Sequence, residues 1–484
     1  MEAYKSGATD TAETINWKTF SFGAKSEQED FSTKNIPSRT YDQARNNPIA
    51  SALINRPPVL VVGCGIKPNI TFKHQQLGIS QEKAFELAEQ HEQDFNLWAK
   101  STESDLYRTL NFYSIQFNAF RQMLLGGDCF VNSLLLDREG SPFNLKLQLI
   151  EGSRIKNPNY EADRANLCGG VELDGFGAPN YYYIQKFHDG DEAFLQEINT
   201  WQKVKVFGAF GLRRVMQIWD KKRDVSTRGI SPLAPALQAL KQIERLDDAH
   251  IMNSVVNNLI LGFIKSKSGT VGMPGAPQYS GYNSGEGGEK KDLTLKQIGK
   301  AFIGKLSQDE EMQAFDTKRP DINVDTHIDN LLQRLTAGVG YAKSEILMKY
   351  DASYSAARAE MLKAYNYYLV VREMLNMTLN KPVYDLFTYL QVLNGRLKAP
   401  GFLEDPYMRA IWLDSADWLG TGKGHIDELR EAQAARERID IGISNIAKET
   451  KEIAGADFYE IHKGTVREKA IREKDGIDAR NISN

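Results

Sequence analysis

The sequence predicts a mixed α+β fold built from several units, on three observations. A chain of 484 residues is long enough for roughly two to four domains. Apolar residues recur at helical spacing up to Gly126-Gly127 and then alternate as they do in β-strands. In the second half, two long helical segments lie on either side of an insertion that is rich in Gly, Pro and Ser.

The N-terminal quarter predicts helices. The first 30 residues are polar and predict a flexible arm. A helix is expected over Ser38–Leu53, with an interruption at Asn47-Pro48, because the residue before a proline is disfavoured in helical backbone. A longer helical region is expected from about Ser80 to Leu125, and Gly126-Gly127 ends it.

The following region predicts β-strands and, with the helices before it, an α/β unit that extends to about Gly229. Cys129–Leu136 and Asn144–Ile150 are rich in β-forming residues, and the turn Asp137–Pro142 between them predicts a hairpin. Four more strands are expected, at Gly170–Asp174, Tyr181–Phe187, Lys203–Phe207 and Val215–Trp219.

Two helices around an insertion are the most regular feature of the second half. An apolar stripe predicts a helix from Leu233 to about Ile264, and a second helix is expected over about Asp325–Gly338. Between them, Lys267–Lys291 holds 12 Gly, Pro or Ser among its 25 residues, which predicts a flexible surface loop.

Helices also dominate the C-terminal part. One is expected over Ser353–Leu379 and should end before Lys381-Pro382. The tail from Lys423 is rich in both signs of charge and predicts a solvated helical appendage, broken at Gly442 and Gly455.

Charge and cysteine content argue against some classes of protein. The formal net charge is −3, whereas a protein that binds DNA by charge alone normally has a clear basic excess. Cys64, Cys129 and Cys168 are far apart without CxxC spacing, which argues against a disulfide framework and a structural zinc site. The start lacks a signal-peptide pattern, and the apolar stretches are too short to span a bilayer. We therefore expect a soluble protein that is made in a cytoplasm.

Two glycine-rich segments imitate phosphate-binding loops. VLVVGCG (Val59–Gly65) is similar to the first strand and turn of a dinucleotide fold, but Ile66 and Pro68 follow where that fold needs a helix. WLGTGKG (Trp418–Gly424) lacks the Ser or Thr that a Walker loop needs after its lysine. A plain turn is the simpler interpretation of the second segment, and we expect no cofactor.

The remaining polar residues predict no catalytic or metal site. The seven histidines form no i,i+4 pair and lie near no cysteine, and Asp247-Asp248 and Glu310-Glu311 are most simply solvated helix faces. We therefore expect that the protein is not an enzyme. Two alternatives stay open: a nucleotide-dependent oxidoreductase that uses Val59–Gly65, and a soluble coiled-coil adaptor that uses the apolar stripe of Leu233–Ile264.

Several segments together resemble the lambda-type family of tailed-phage portal proteins. They are TYDQARNNPIA (Thr40–Ala50), VVGCGI (Val61–Ile66), GGDCFV (Gly126–Val131), LQLIEGSR (Leu147–Arg154), GVELDGFGAP (Gly170–Pro179) and TRGISPLAP (Thr227–Pro235). Ala337–Tyr341, Tyr354–Arg358, Pro382–Tyr384, Gly395–Leu397 and Pro400–Phe402 follow in family order. The order and spacing of these segments extend over about residues 30–470, which makes the resemblance specific. Pro57-Pro58 and the glycine-rich Lys267–Lys291 depart from the family pattern.

The resemblance implies the fold class of that family, an α+β portal fold assembled as a ring of about twelve copies at one capsid vertex. Its parts are an α/β wing, a two-helix stem, a small clip insertion and a helical C-terminal crown. The corresponding ranges are 1–30 for the arm, 31–229 for the wing, 230–265 for the first stem helix, 266–320 for the clip, 321–340 for the second stem helix, 341–422 for the tunnel loop and return helix, and 423–484 for the crown.

The resemblance also implies a function and a set of partners. The ring would be a conduit for double-stranded DNA during packaging and ejection, and a docking platform for the large terminase subunit and the head–tail connector proteins. The major capsid or scaffold protein would be a further partner. The protein would be part of the virion, with no membrane involved.

We expect the channel wall to include Gly338–Tyr354, the segment between the second stem helix and the return helix. Lys343 and Lys349 in this segment are the candidates for contact with DNA phosphates, and Arg334 is a third candidate. The simpler interpretation of both lysines is that they are ordinary solvent-facing charges.

Overall fold

The structure is a computed structural model, and it describes residues 35–186, 201–259, 263–266, 296–298, 301–303, 310–313, 324–349, 354–422 and 428–475. The expected N-terminal arm and the loop Lys267–Lys291 lie outside these residues. The chain divides into two compact units. Unit 1 comprises Met1–Leu237 and Leu335–Asn484, and unit 2 comprises Gln238–Arg334.

Helices make up most of the described chain. In chain order they are α1 (Asn35–Asn46), α2 (Pro48–Val61), α3 (His74–Leu77), α4 (Gln81–Lys100), α5 (Phe112–Gly126), α6 (Leu237–Leu259), α7 (Val324–Val339), α8 (Lys343–Leu347), α9 (Tyr354–Leu375), α10 (Lys381–Leu393), α11 (Pro406–Leu413), α12 (Glu428–Asp440), α13 (Ile446–Ala454) and α14 (Phe458–Lys474). Among these described helices, none combines the length and the apolar character that crossing a membrane requires.

The strands pair in small antiparallel sheets. They are β1 (Lys67–Ile70), β2 (Asp128–Leu135), β3 (Leu145–Glu151), β4 (Leu167–Cys168), β5 (Val171–Leu173), β6 (Pro179–Gln185), β7 (Trp201–Lys205), β8 (Val215–Trp219), β9 (Phe263–Ser266), β10 (Lys296–Ile298), β11 (Ala301–Ile303), β12 (Glu310–Gln313) and β13 (Ala416–Leu419). Unit 1 contains sheets of order β3-β2-β8 and β4-β5-β6-β7 and the pair β1-β13. Unit 2 contains the pairs β9-β12 and β10-β11 beside its helical segments.

The two larger sheets of unit 1 share one apolar core. Because side chains alternate along a strand, one face of each sheet points into this core. Phe130 of β2 and Tyr182 of β6 are fully buried, and their ring centroids lie 5.0 Å apart. The other buried members of this core are Ile150, Ile155, Val171, Ile184, Val204, Val206 and Val215. The burial of these side chains is the main term that holds the sheets together.

A second core consists of aromatic rings between helices of unit 1. Phe95 and Trp98 of α4 pack against Phe112 of α5 and Phe387 of α10, at centroid distances of 5.2 to 5.9 Å. The indole N–H of Trp98 donates a hydrogen bond of 3.0 Å to the carbonyl oxygen of Leu145 in β3. This bond ties the helical layer to the sheet beneath it.

A buried ion pair lies where the two sheets meet. The guanidinium group of Arg228 donates to both carboxylate oxygens of Asp128, with Nε–Oδ2 and Nη2–Oδ1 distances of 2.6 and 2.8 Å. It also donates to the carbonyl oxygens of Gly152, Ile155 and Gly169 at 2.7 to 2.8 Å. Both charged groups are almost completely buried. Buried charges need such partners, because desolvation of an unpaired ion is very unfavourable.

Glycines allow the backbone to approach this ion pair closely. Gly127 caps α5 with φ +95°, and a Cβ atom on it would lie 2.6 Å from the carbonyl oxygen of Gly229. A Cβ atom on Gly229 would overlap the carbonyl oxygen of Gly127, and one on Gly152 would overlap the Asp128 carboxylate. No other residue fits these positions without displacing its neighbours.

Several sequence predictions for unit 1 are confirmed. Asn47 interrupts the first helix and caps α2, since its side chain accepts hydrogen bonds from the N–H groups of Ile49 and Ala50. β2 and β3 form the predicted hairpin. The C-terminal helices are broken at Gly442 and Gly455, whose φ angles of +78° and +61° are typical of glycine at a helix end.

Two predictions for the helices of unit 1 are wrong. The helical region from Ser80 to Leu125 is interrupted between α4 and α5, because the Asp105 carboxylate accepts hydrogen bonds from the N–H groups of Thr109 and Leu110 and fixes a turn. The return helix does not end before Lys381-Pro382. It continues through a π-helical turn at Asn376–Asn380 into α10, in which Pro382 is the second residue.

The predicted helix Leu233–Ile264 is shorter than expected. It begins at Leu237 and ends at Leu259, and Ile264 lies in β9 instead, which pairs with β12. Glu310-Glu311, interpreted from the sequence as a helix face, lies in β12. Asp247-Asp248 is exposed on α6 as expected.

We expect the substitution Arg228→Met to lower the free energy of unfolding by about 3–5 kcal/mol, because it leaves the Asp128 carboxylate buried without its counter-ion. Urea denaturation followed by tryptophan fluorescence measures this change. The matched control is Arg164→Ala, which removes an exposed ion pair with Glu161 and should cost less than about 1 kcal/mol. Equal effects of the two substitutions would contradict the importance of the buried pair.

Candidate nucleic-acid interface

The predicted channel segment Gly338–Tyr354 starts within the last turn of α7 and includes α8; residues 350–353 lie outside the described part of the chain. The turn after α7 is formed at Gly340, which has φ +86°. The N–H groups of Gly340 and Tyr341 both donate to the carbonyl oxygen of Thr336, at 2.9 and 3.0 Å. This arrangement ends the helix and redirects the chain towards α8.

Tyrosines of α9 hold the segment at its start. Tyr341 is buried, and its ring centroid lies 5.8 Å from that of Tyr367 and 6.3 Å from that of Tyr368. The Tyr367 hydroxyl group donates to the carbonyl oxygen of Val339. A Cβ atom on Gly340 would lie 2.8 Å from the Tyr367 ring, so the contact requires glycine there.

Polar contacts hold the rest of the segment. The Tyr368 hydroxyl group donates to the Glu345 carboxylate. Burial raises the pKa of Glu345, and the hydrogen bond from Tyr368 offsets part of this rise. Ile346 is buried, and Arg56 of α2 donates to the sulfur atom of Met348. The segment is therefore docked along one side against α9 and α2.

The three predicted DNA-contacting residues differ in their surroundings. Lys343 is the first residue of α8 and is half-buried, whereas Lys349 is exposed just after the end of α8. The structure thus places both lysines in one short docked segment. Arg334 is exposed on α7 and is the last residue of unit 2, whereas both lysines belong to unit 1.

The two glycine-rich segments that imitate phosphate loops contact each other. Val59–Val61 form the last turn of α2, whereas a dinucleotide fold needs a strand at this position, so the oxidoreductase alternative is wrong. The chain continues into β1, which pairs with β13 directly before the Gly420–Gly422 turn. A Cβ atom on Gly63 would overlap the Thr421 hydroxyl oxygen, so these glycines serve close packing.

Arg372 of α9 lies beside this contact and completes α2. Its Nε atom donates to the carbonyl oxygen of Val61 at 2.9 Å, and a Cβ atom on Gly420 would lie 2.5 Å from its guanidinium carbon. The last carbonyl groups of a helix lack partners within the helix. The bond from Arg372 therefore helps to explain how α2 extends to Val61 past Pro57-Pro58, beyond the predicted end at Leu53.

The residues of greatest structural consequence, Asp128 and Arg228, were not singled out from the sequence. Each lies in a motif of the family resemblance, and Gly152 lies in a third. A charged residue next to glycine inside an otherwise apolar motif was the available signal. Among the described residues, no group of three His, Cys, Asp or Glu side chains is arranged to hold a metal ion.

Comparison with known proteins identifies relatives over most of the chain. This chain is 23% identical to portal protein B of Escherichia phage lambda over 458 residues, and the match covers 91% of this chain and 84% of that protein. It is 22% identical to the portal protein of Escherichia phage N15 over 454 residues, with the same coverage. The structure is similar to a chain in the neck of an empty gene transfer agent particle, with a TM-score of 0.47, 12% identity, and coverage of 87% of this chain and 94% of that one.

A family model agrees with these relatives. The model of the phage portal protein, lambda family, matches residues 11–372, which is well over half of the chain. The resemblance seen in the separate motifs is thus confirmed. The chain belongs to the lambda family of phage portal proteins.

Proposed function

We propose that this chain is one subunit of a closed ring of about twelve copies at one capsid vertex, through which double-stranded DNA is packaged and ejected. The observation that carries this proposal is the match to the lambda portal family over residues 11–372. The protein acts as a structural conduit and performs no chemistry of its own. No cofactor is needed for this role.

In this proposal the α/β part of unit 1 is the wing, and unit 2 contains the stem and the clip. The limits of unit 2, Gln238 and Arg334, lie close to the range 230–340 expected for stem and clip, which supports this assignment. The strand pairs β9-β12 and β10-β11 belong to the clip and receive the large terminase subunit and later the head–tail connector proteins. The wing contacts the major capsid or scaffold protein, and α12–α14 form the crown.

The nearly neutral charge of the chain suits a channel through which DNA moves. DNA carries one phosphate charge per ~1.7 Å of helix axis, and many strong basic contacts would slow its passage. The formal net charge of −3 provides no such general attraction. A few lysines on a docked segment, repeated around a ring, would contact the DNA without holding it fixed. Lys343 and Lys349 are the residues that we propose for this contact, with Arg334 as a further candidate.

We expect the double substitution Lys343→Ala/Lys349→Ala to reduce the number of particles that retain full-length DNA about tenfold, because it removes two phosphate contacts from every copy. Gel analysis of the DNA in purified particles measures both its length and its retention. The control is Lys398→Ala/Lys100→Ala, which removes two exposed lysines of unit 1 outside the segment. Unchanged length and retention in the Lys343/Lys349 variant would exclude these lysines from the channel.

We expect Gly340→Ala to weaken the docking of the channel segment by about 1–2 kcal/mol, because alanine is strained at φ +86° and would press on the Tyr367 ring. Hydrogen exchange of residues 341–349 should become faster. Gly338→Ala is the matched control, since Gly338 has open space around it and lies in α7, where alanine favours the helix. Equal exchange in both variants would show that the glycine turn does not hold the segment.

A further inference from the structure

A closed ring of identical subunits needs two different and complementary faces on each copy, because every contact is head-to-tail. One side of a subunit must therefore recognise the opposite side of its neighbour. The described part of unit 1 carries two exposed faces of opposite charge that both include aromatic rings.

The first face lies on the outer side of the four-stranded sheet. Strand alternation directs Tyr182 and Val204 into the core, and places Tyr181, Tyr183, Lys203 and Lys205 outside. We call these four outer residues the lysine face. Both lysines are exposed.

Lys203 is held in a fixed position on this face. Its ammonium group lies 4.2 Å from the ring centroid of Tyr181 and 5.3 Å from that of Tyr183. It also forms an ion pair of 2.7 Å with Glu172, which accepts a hydrogen bond of 2.6 Å from the Tyr183 hydroxyl group. Tyrosine is among the residues that dominate binding energy in protein interfaces.

The second face is formed by α4 and the start of α14. Glu82, Glu86 and Glu460 are exposed there, around Phe85 and Tyr459, whose rings meet edge to face at 6.1 Å. These five residues are the acidic face. Two lysines lie beside them: Lys83 pairs with Glu86 at 2.9 Å, and the ammonium group of Lys463 lies 5.2 Å from the Phe85 ring centroid. The two aromatic side chains are 49% and 54% exposed, so about half of each is available to a partner.

A cavity of about 690 Å³ opens on the acidic face between α4, β1 and α14. Its lining includes the carboxylates of Glu89, Glu92, Asp457 and Glu460, and Lys463 pairs with the first of these. Burial is the largest cause that raises the pKa of Glu92 to about 7, and the negative charges of Glu460 and Asp457 also raise it. The cavity therefore has an excess of carboxylates over cations.

We propose, on the basis of the ring proposed above, that the lysine face of one copy packs against the acidic face of the next copy around the ring. The faces match in sign, and both present aromatic surface. The lysine face has only two exposed lysines opposed by Glu172, which is less basic than a surface that binds nucleic acid. A second copy is therefore the partner that the charges favour over DNA.

Charge reversal on each face tests this pairing. The lysine-face variant is Lys203→Glu/Lys205→Glu, and the acidic-face variant is Glu82→Lys/Glu86→Lys. Each should fail to form rings alone, with a rise of about a hundredfold or more in the concentration for half-assembly, because like charges then face each other. An equimolar mixture of the two variants should form rings again, with the variants alternating. Native mass spectrometry and negative-stain imaging measure both outcomes.

Two further variants separate folding defects from lost contacts. Lys221→Glu/Lys222→Glu reverses two exposed lysines that lie after β8, and it should assemble normally. Lys203→Ala/Lys205→Ala removes charge without reversal, and should raise the concentration for half-assembly about tenfold while the melting temperature stays unchanged.

Several results would overturn the proposal. Normal rings from either reversed variant alone, or no rings from a mixture of variants that melt like the wild type, would exclude this pairing of faces. A lysine-face variant that assembles normally but loses binding to a DNA duplex would show that the face binds nucleic acid. If the wild-type chain itself formed no rings, the proposed ring function would fail, and not merely the choice of faces.

Discussion

The buried contact between Arg228 and Asp128 is the constraint on which the α/β part of unit 1 depends. One guanidinium group pairs with the carboxylate at the start of β2 and with three backbone carbonyl groups of the connections that follow β3 and β4. Arg228, Asp128, the connection after β3 and the connection after β4 are four separate stretches of the chain. Since a buried charge is tolerated only with all its partners in place, the pair fixes how the two sheets meet. This arrangement requires glycine at positions 127, 152 and 229, because a Cβ atom at any of them would overlap neighbouring atoms around the ion pair.

Much of the fold could be predicted from local patterns, and the failures have physical causes. The β2–β3 hairpin, the break at Asn47 and the helix ends at Gly442 and Gly455 depend on residues next to one another, so their signals are local. The continuation of α2 past Pro57-Pro58 instead has a partner in Arg372, more than three hundred positions away, and the ion pair joins residues 100 positions apart. No periodicity reveals such partners. The apolar spacing across Ser80–Leu125 hides a turn that the single carboxylate of Asp105 creates.

For the candidate site, the sequence predicted the segment but not its support. Lys343 and Lys349 followed from the position of the segment between two predicted helices. The contacts of Tyr341 with Tyr367 and Tyr368, which dock the segment, could not be predicted from the sequence, because both partners lie on a separate helix, α9. Val59–Gly65 and Trp418–Gly424 suggested phosphate loops, yet Gly63 lies against Thr421 and Gly420 lies against Arg372, so these two glycines allow close packing. A glycine motif alone does not show whether neighbouring backbone or a bound ligand approaches the glycines closely.

The measurement that tests the account most directly is the mass and symmetry of the purified protein, by light scattering with negative-stain imaging. The account predicts rings of about twelve copies with a central hole. A dimer that carries a bound nucleotide, in place of a ring, would contradict it. Rings would direct further work to the docked segment around Lys343 and Lys349 and to the contact between neighbouring copies.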